Sequence, residues 1–244
     1  MLDRRQMIAC LGFAASGARA EPVPPTQVPR LSGAAAGAGV APGWRHLTLP
    51  KVEPANRYAI VTDEGQRVLQ VSSSASASPW VAPVDIDTTG RPWLHWRWKV
   101  SRSLAGSDLR RRSGDDYAAR LYVFFALAME RLSLSDRLRI RATRLLSGAD
   151  VPAAALCYVW GHAQAVGSSA WNPYTDRVRM IVVDSGDALA MQWRAHARDV
   201  PRDWTQAFGG PVPRVSGVAV SADTDDTGES VQAWFGDPRF EEMQ

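Results

Sequence analysis

From about residue 94 onward the chain alternates apolar and polar positions with a period of two, the signature of half-buried β-strands. In Leu94 to Val100, Leu94, Trp96, Trp98 and Val100 share one face, and His95, Arg97 and Lys99 share the other. In Asp115 to Phe125, Tyr117, Ala119, Leu121, Val123 and Phe125 oppose Asp116, Ala118, Arg120, Tyr122 and Phe124. Ala155 to His162 sets Ala155, Cys157 and Val159 against Leu156, Tyr158, Trp160 and His162. The same period predicts strands over Leu189 to Arg198, Val215 to Ala222 and Val231 to Phe240, and the apolar run Arg179 to Asp184 reads as a central strand. Turn signals separate them at Thr89-Gly90-Arg91-Pro92, Asn172-Pro173, Ser185-Gly186-Asp187 and Asp226-Thr227-Gly228.

Helical signals are few. Ser135 caps a segment with Leu138, Ala142, Leu145 and Leu146 on one face and Arg137, Arg141 and Arg144 on the other, ending at Gly148. A shorter helix is expected from Pro201 to Phe208, stopped by Gly209-Gly210. Many short strands with one or two short helices predict an all-β fold, an antiparallel β-sandwich of jelly-roll type.

The first 43 residues follow neither period. Arg4 and Arg5 precede an apolar stretch from Met7 to Ala18, and Ala18-Arg19-Ala20 fits a small-x-small cleavage site. Residues 1–20 are therefore expected to be a signal peptide, and the twin arginines suit the twin-arginine route. That makes the protein exported, periplasmic or secreted. Residues 21–43 are rich in Pro, Ala and Gly and read as a spacer. A single domain is expected over 44–244, long enough for one sizeable core.

Composition narrows the function. The 244 residues carry a net charge of +3, and losing Arg4, Arg5, Arg19 and Asp3 with the leader reduces this to +1. That is too weak an excess for nucleic-acid binding. No apolar run is long enough for a transmembrane helix. The two cysteines, Cys10 and Cys157, exclude a four-cysteine zinc site and a disulfide framework. Cys10 leaves with the leader, so Cys157 reads as a small buried core residue. The four histidines, at 46, 95, 162 and 196, show no ligand spacing for a metal.

If the polar strand faces lie on one sheet, they gather aromatic and cationic groups: His95, Arg97, Lys99, Asp116, Arg120, Tyr122, Tyr158, Trp160, His162, Arg194, His196 and Arg198. Aromatic rings stack on sugars and guanidinium groups bind carboxylate or sulfate in pairs of hydrogen bonds. Arg97, Asp116, Arg120, Tyr122, Tyr158, Trp160 and Arg194 are thus the ligand-binding candidates, for a glycan or another anionic envelope ligand. Trp96, Trp98 and Trp193 share faces with aliphatic residues and read as core; Trp80, Trp171 and Trp204 join Trp160 as candidates for stacking. The competing reading is a solvated sheet face with cross-strand ion pairs.

An enzyme would need two carboxyls facing one bond. Asp115 and Asp116 are strand neighbours and point to opposite faces, so Asp116 with a distant carboxylate is the alternative, a periplasmic glycan hydrolase. A protein-partner accessory factor is the third reading. In Asp223-Thr224-Asp225-Asp226-Thr227-Gly228, Asp223, Asp225 and Gly228 match the spacing of a calcium loop, but Trp234 stands where the bidentate Glu belongs. This is no EF-hand. Asp223 and Asp225 remain as candidates for a structural calcium, and no other cofactor is expected.

Four stretches carry a family likeness: Pro92-Trp93-Leu94-His95-Trp96-Arg97-Trp98-Lys99-Val100, Asp115-Asp116-Tyr117-Ala118-Ala119-Arg120, Cys157-Tyr158-Val159-Trp160, and Asp223 to Gly228 followed by Phe235-Gly236-Asp237. Together, from Trp44 to Phe240, they resemble the bacterial family catalogued as domain of unknown function 3047. That resemblance implies an exported protein and assigns no catalytic residue. The chain departs from the family pattern at Pro238 and in a long Arg-rich stretch between Phe125 and Ala153. The closing aromatic-Gly-Asp pattern is also similar to galactose-binding-like jelly rolls, which implies a non-catalytic carbohydrate-binding module.

Overall fold

The computed structural model describes residues 23–37, 39–48, 52–126 and 154–242. The expected signal peptide and the helix expected over 135–148 lie outside the described residues.

The described chain forms a two-sheet sandwich. Its strands are β1 (Arg45–His46), β2 (Arg57–Asp63), β3 (Gln66–Ser74), β4 (Trp80–Ile86), β5 (Trp93–Val100), β6 (Tyr117–Phe125), β7 (Ala154–Gly161), β8 (Ser169–Asn172), β9 (Thr175–Ser185), β10 (Arg194–Asp199), β11 (Val215–Asp223), β12 (Ser230–Phe235) and β13 (Arg239–Glu241). The seven-stranded sheet runs β1-β4-β11-β6-β7-β9-β8. The six-stranded sheet runs β10-β5-β12-β3-β2, with β13 also paired to β5. The β7–β9 pair is parallel, and all other pairings are antiparallel.

The core between the sheets takes Leu94, Trp96, Trp98 and Val100 from β5, and Leu121, Val123 and Phe125 from β6. It also takes Leu156, Tyr158 and Trp160 from β7. The face of β7 that looked polar in sequence is therefore the inner one. Cys157 and Val159 belong to a second buried cluster on the other face of the same sheet, with Tyr122, Phe124 and Met180. Every residue of β6 and β7 is buried. Burial on both faces explains why these strands read as nearly continuous apolar runs.

One α-helix lies among the described residues, α1 (Val200–Phe208). The Asp199 carboxylate accepts the Arg202 amide at 3.0 Å and caps it, and Gly209 ends it with a φ of 70°.

Three expectations need correction. Residues 189–193 are not strand; the chain turns there, with Met191 at a φ of 61°, and β10 begins at Arg194. The closing strand is two strands, β12 and β13, separated by Gly236-Asp237-Pro238, because proline cannot donate to a ladder. Residues 28–37 and 39–41, within the stretch 21–43 read as spacer, pack onto the sandwich. Val28, Leu31, Ala34 and Ala41 are buried in its core, Pro25 accepts the Asp85 amide, and Ser32 is bonded to Asp237. Apolar side chains scattered among prolines are enough to anchor a segment that has no periodicity.

A groove beside Arg97 on the six-stranded sheet

The outer face of the six-stranded sheet is built by the alternation in β5. With Trp96 and Trp98 inside, His95, Arg97 and Lys99 must point out. The neighbouring edge strand β10 pairs Ala195 with Arg97 and Ala197 with His95. These small side chains leave open space beside the two basic groups. On the other side Gly236 donates its amide to the Arg97 carbonyl. A Cβ at 236 would lie 2.7 Å from Arg97 Cγ, so the arginine lies where only glycine permits it.

The β2–β3 hairpin closes the site from a third side. Asp63 pairs with Gln66 across a two-residue turn, Glu64-Gly65, with φ values of 49° and 75°. Both positive values match a type I′ hairpin. The hairpin delivers Gln66 Oε1 to Arg97 Nη2 at 2.6 Å and Asp63 Oδ2 to Lys99 Nζ at 2.6 Å. Asp63 Oδ2 also accepts Trp193 Nε1 at 2.6 Å. The hydrogen bond from Lys99 holds the Asp63 carboxyl below the usual range; partial burial opposes this, and Trp193 reinforces it. The Arg97 guanidinium stacks on Trp193 at 4.3 Å from the ring centroid, and Lys99 Nζ sits 5.2 Å from Trp193 and 4.9 Å from Trp234. Cation and ring thus brace each other.

The resulting groove has a volume of about 490 Å³, within the usual range for small-molecule sites. Gln66, Arg67, His95, Arg97, Asp237 and Arg239 carry its polar chemistry. Among the described residues lining it, three are arginines and one, Asp237, is a carboxylate. Asp237 accepts the Ser32 amide at 2.9 Å and the Ser32 hydroxyl at 2.6 Å. Glu241, outside the groove, pairs with His95 at 3.1 Å and with Arg239 at 2.5 Å. The Arg239 hydrogen bond keeps the Glu241 carboxyl low. The groove is net cationic.

Of the seven ligand-binding candidates, only Arg97 lies here. Arg120 is buried at 1% exposure on the far face of the other sheet. Its Nε meets Asp223 at 2.8 Å, its Nη2 meets Asp115 at 3.1 Å, and its Nη1 donates to Tyr122. Tyr158 and Trp160 are buried between the sheets, where Tyr158 donates to Asp203 and Trp160 to the Gly186 carbonyl. Arg194 pairs in register with Trp98, so it faces the opposite way from Arg97 and binds Asp184 at 3.2 Å. Asp116 is fully buried, and its Oδ2 accepts the amides of Asp226 and Thr227. That carboxylate holds a loop.

Trp80 and Trp204 are buried as well, while Trp171 is 37% exposed at the β8 edge. Trp193, read as core, is half-buried and stacks on Arg97 beside the groove. In the acidic turn, Asp223 is taken up by Arg120 and by the Ser221 hydroxyl, and Asp225 lies in the turn that follows β11. Among the described residues no group of three His, Cys, Asp or Glu side chains is arranged to hold a metal. None of the helices described is long and apolar enough to cross a membrane.

Solved structures with a similar fold are distant. The enzymatically active domain of tailspike protein 4 from bacteriophage CBA120 is 8% identical at a TM-score of 0.42, over 87% of this chain and 22% of that one. The CBM22-1–GH10 modules of Clostridium thermocellum endo-1,4-β-D-xylanase 10B, complexed with xylohexaose, are 13% identical at a TM-score of 0.35, over 83% of this chain and 26% of that one. The xyloglucanase domain of NopAA, a type three effector from Sinorhizobium fredii, in complex with cellobiose, is 7% identical at a TM-score of 0.40, over 84% and 94%. The chain thus spans about a quarter of the first two. Likeness this remote says nothing of ligand or activity. A search of curated proteins finds no match. Residues 42–239 match the family described as "Protein of unknown function (DUF3047)", a range that holds β1 to β12 and most of the groove, and the chain belongs to that family.

Proposed function

We propose that the protein is exported and binds a negatively charged carbohydrate of the cell envelope in the groove beside Arg97. The observation that carries this reading is the lining itself: three arginines and His95 around one carboxylate already bound to Ser32. Arginine forks recognise a carboxylate or sulfate, and the Gln66 amide and the Arg67 guanidinium supply hydrogen bonds for neighbouring hydroxyls. The leader-like N-terminus supports export.

The reading is of binding without turnover. Glycoside hydrolysis uses two carboxyl groups across the scissile bond, and Asp237 is the groove's single carboxylate among the described residues. Isothermal titration of the purified protein with an oligogalacturonide and with a neutral gluco-oligosaccharide tests this. The acidic sugar should bind, more weakly as salt rises, and stay uncleaved by mass spectrometry. Equal failure of both sugars, or cleavage of either, overturns it.

A further inference from the structure

A second groove opens on the same sheet face. Its volume is about 430 Å³. The register explains its lining. Arg57 on β2, Ser72 on β3 and Gln232 on β12 stand opposite one another in one row across three strands. Ser74 and Ser230 form the next row, with their hydroxyls 2.7 Å apart. Ser101 completes the rim and accepts the Gln232 amide.

We infer that the ligand is an extended chain of several sugar residues, held by its acidic groups beside Arg97 and by neutral hydroxyls in the serine-lined groove. The inference rests on the carbohydrate reading of the first groove. Three observations carry it. The grooves are collinear: outward positions on β5 run His95, Arg97 and Lys99, with Ser101 one residue past the strand end. Arg97 and Ser101 are four residues apart, about 13 Å at the rise of a strand, a span that several linked sugars would cover and a single sugar would not. Between them Lys99 and Trp234 stand opposite each other in register on that same outer face, so one strip of sheet joins the two. And the second lining has the right chemistry. Serine and glutamine both donate and accept, as sugar hydroxyls do. Serine is also a poor choice for an inner strand such as β3, where β-branched and aromatic residues pack better. Short hydroxyl side chains there lower the surface into a trough.

The test is a chain-length series of oligogalacturonides titrated into the wild-type protein and into a Ser72→Val/Gln232→Leu double variant. In the wild type a hexamer should bind about tenfold more tightly than a dimer. The double variant should bind both alike, at the wild-type dimer affinity. Should the double variant fail to fold, Gln232→Glu at the same exposed position serves instead; its added carboxylate should weaken the hexamer and spare the dimer. Equal wild-type affinities for dimer and hexamer, or a variant that keeps the hexamer advantage, overturn the second groove and leave the first standing. No binding of either oligomer overturns the carbohydrate reading itself.

Discussion

His196 Nε2 lies 2.6 Å from Asp184 Oδ2, and this bond ties the edge strand of one sheet to β9 of the other. Asp184 is 2% exposed and also accepts Trp98 Nε1 at 2.7 Å and Arg194 Nε at 3.2 Å. A bulge sets it there: Val159 pairs with Val182, then Trp160 with Asp184. Asp184→Asn loses the charge in these bonds and should cost about 2 to 3 kcal/mol. For a domain of this size that is a fall in Tm of about 4 to 12 °C. A scan of variant against wild type checks it, and an unchanged Tm would show that the clamp is not a stabilising one.

The same carboxylate sets the acid limb of stability. Burial pushes the Asp184 carboxyl up, but hydrogen bonds from His196, Trp98 and Arg194 more than reverse this, and it lies below the ordinary value. Asp187 is lowered by the Ser103 amide and hydroxyl. Groups depressed in the folded state release protons that the unfolded chain holds, so stability rises with pH through this range. Their contribution is complete above about pH 4, the unfolded carboxylate pKa, and is lost as pH falls further. Urea midpoints should fall steeply below about pH 4, less steeply in Asp184→Asn.

Arg120 is predicted to matter for stability and not for binding. Burial opposes its charge, and Asp115 and Asp223 more than restore it. Arg120→Met leaves those two carboxylates buried without their cation, a loss of about 3 to 5 kcal/mol by the usual cost of breaking a buried pair. Urea denaturation measures it. A variant with wild-type stability that no longer binds sugar would contradict the placement of Arg120 away from the groove.

Cys157 should be inert while the protein is folded. The side chain is fully buried, and burial pushes its thiol up, with Arg120 opposing only in part. A thiol reagent should leave Cys157 unlabelled in buffer and label it in denaturant. Rapid labelling of the native protein would mean that the β6–β7 layer opens.

Much of this architecture is legible in the residue pattern, for a physical reason. The alternation in β5 fixes which face holds Trp96 and Trp98 and which holds Arg97. The cap at Asp199 and the stop at Gly209 fix α1. What failed was the choice of outside. Tyr158, Trp160 and Arg120 carry polar atoms, yet each is buried with a partner, and a polar side chain in a strand does not itself reveal the distant group that pairs with it. Strands β2 and β3 give no clear strand signal, because Ser72-Ser73-Ser74 has the composition of a loop. The Asp-Glu-Gly-Gln turn at 63–66 was the available signal. Trp193 was misplaced because the period was extended through a turn, where phase has no meaning.

The central claim is that Arg97 holds the acidic ligand. It is tested most directly by titrating an oligogalacturonide into wild-type protein and into Arg97→Gln side by side, with Tm recorded for both. The account predicts affinity at least about tenfold weaker in the variant, the worth of one charge-assisted hydrogen-bonded contact, at a nearly unchanged Tm. Equal affinity for wild type and variant would contradict it.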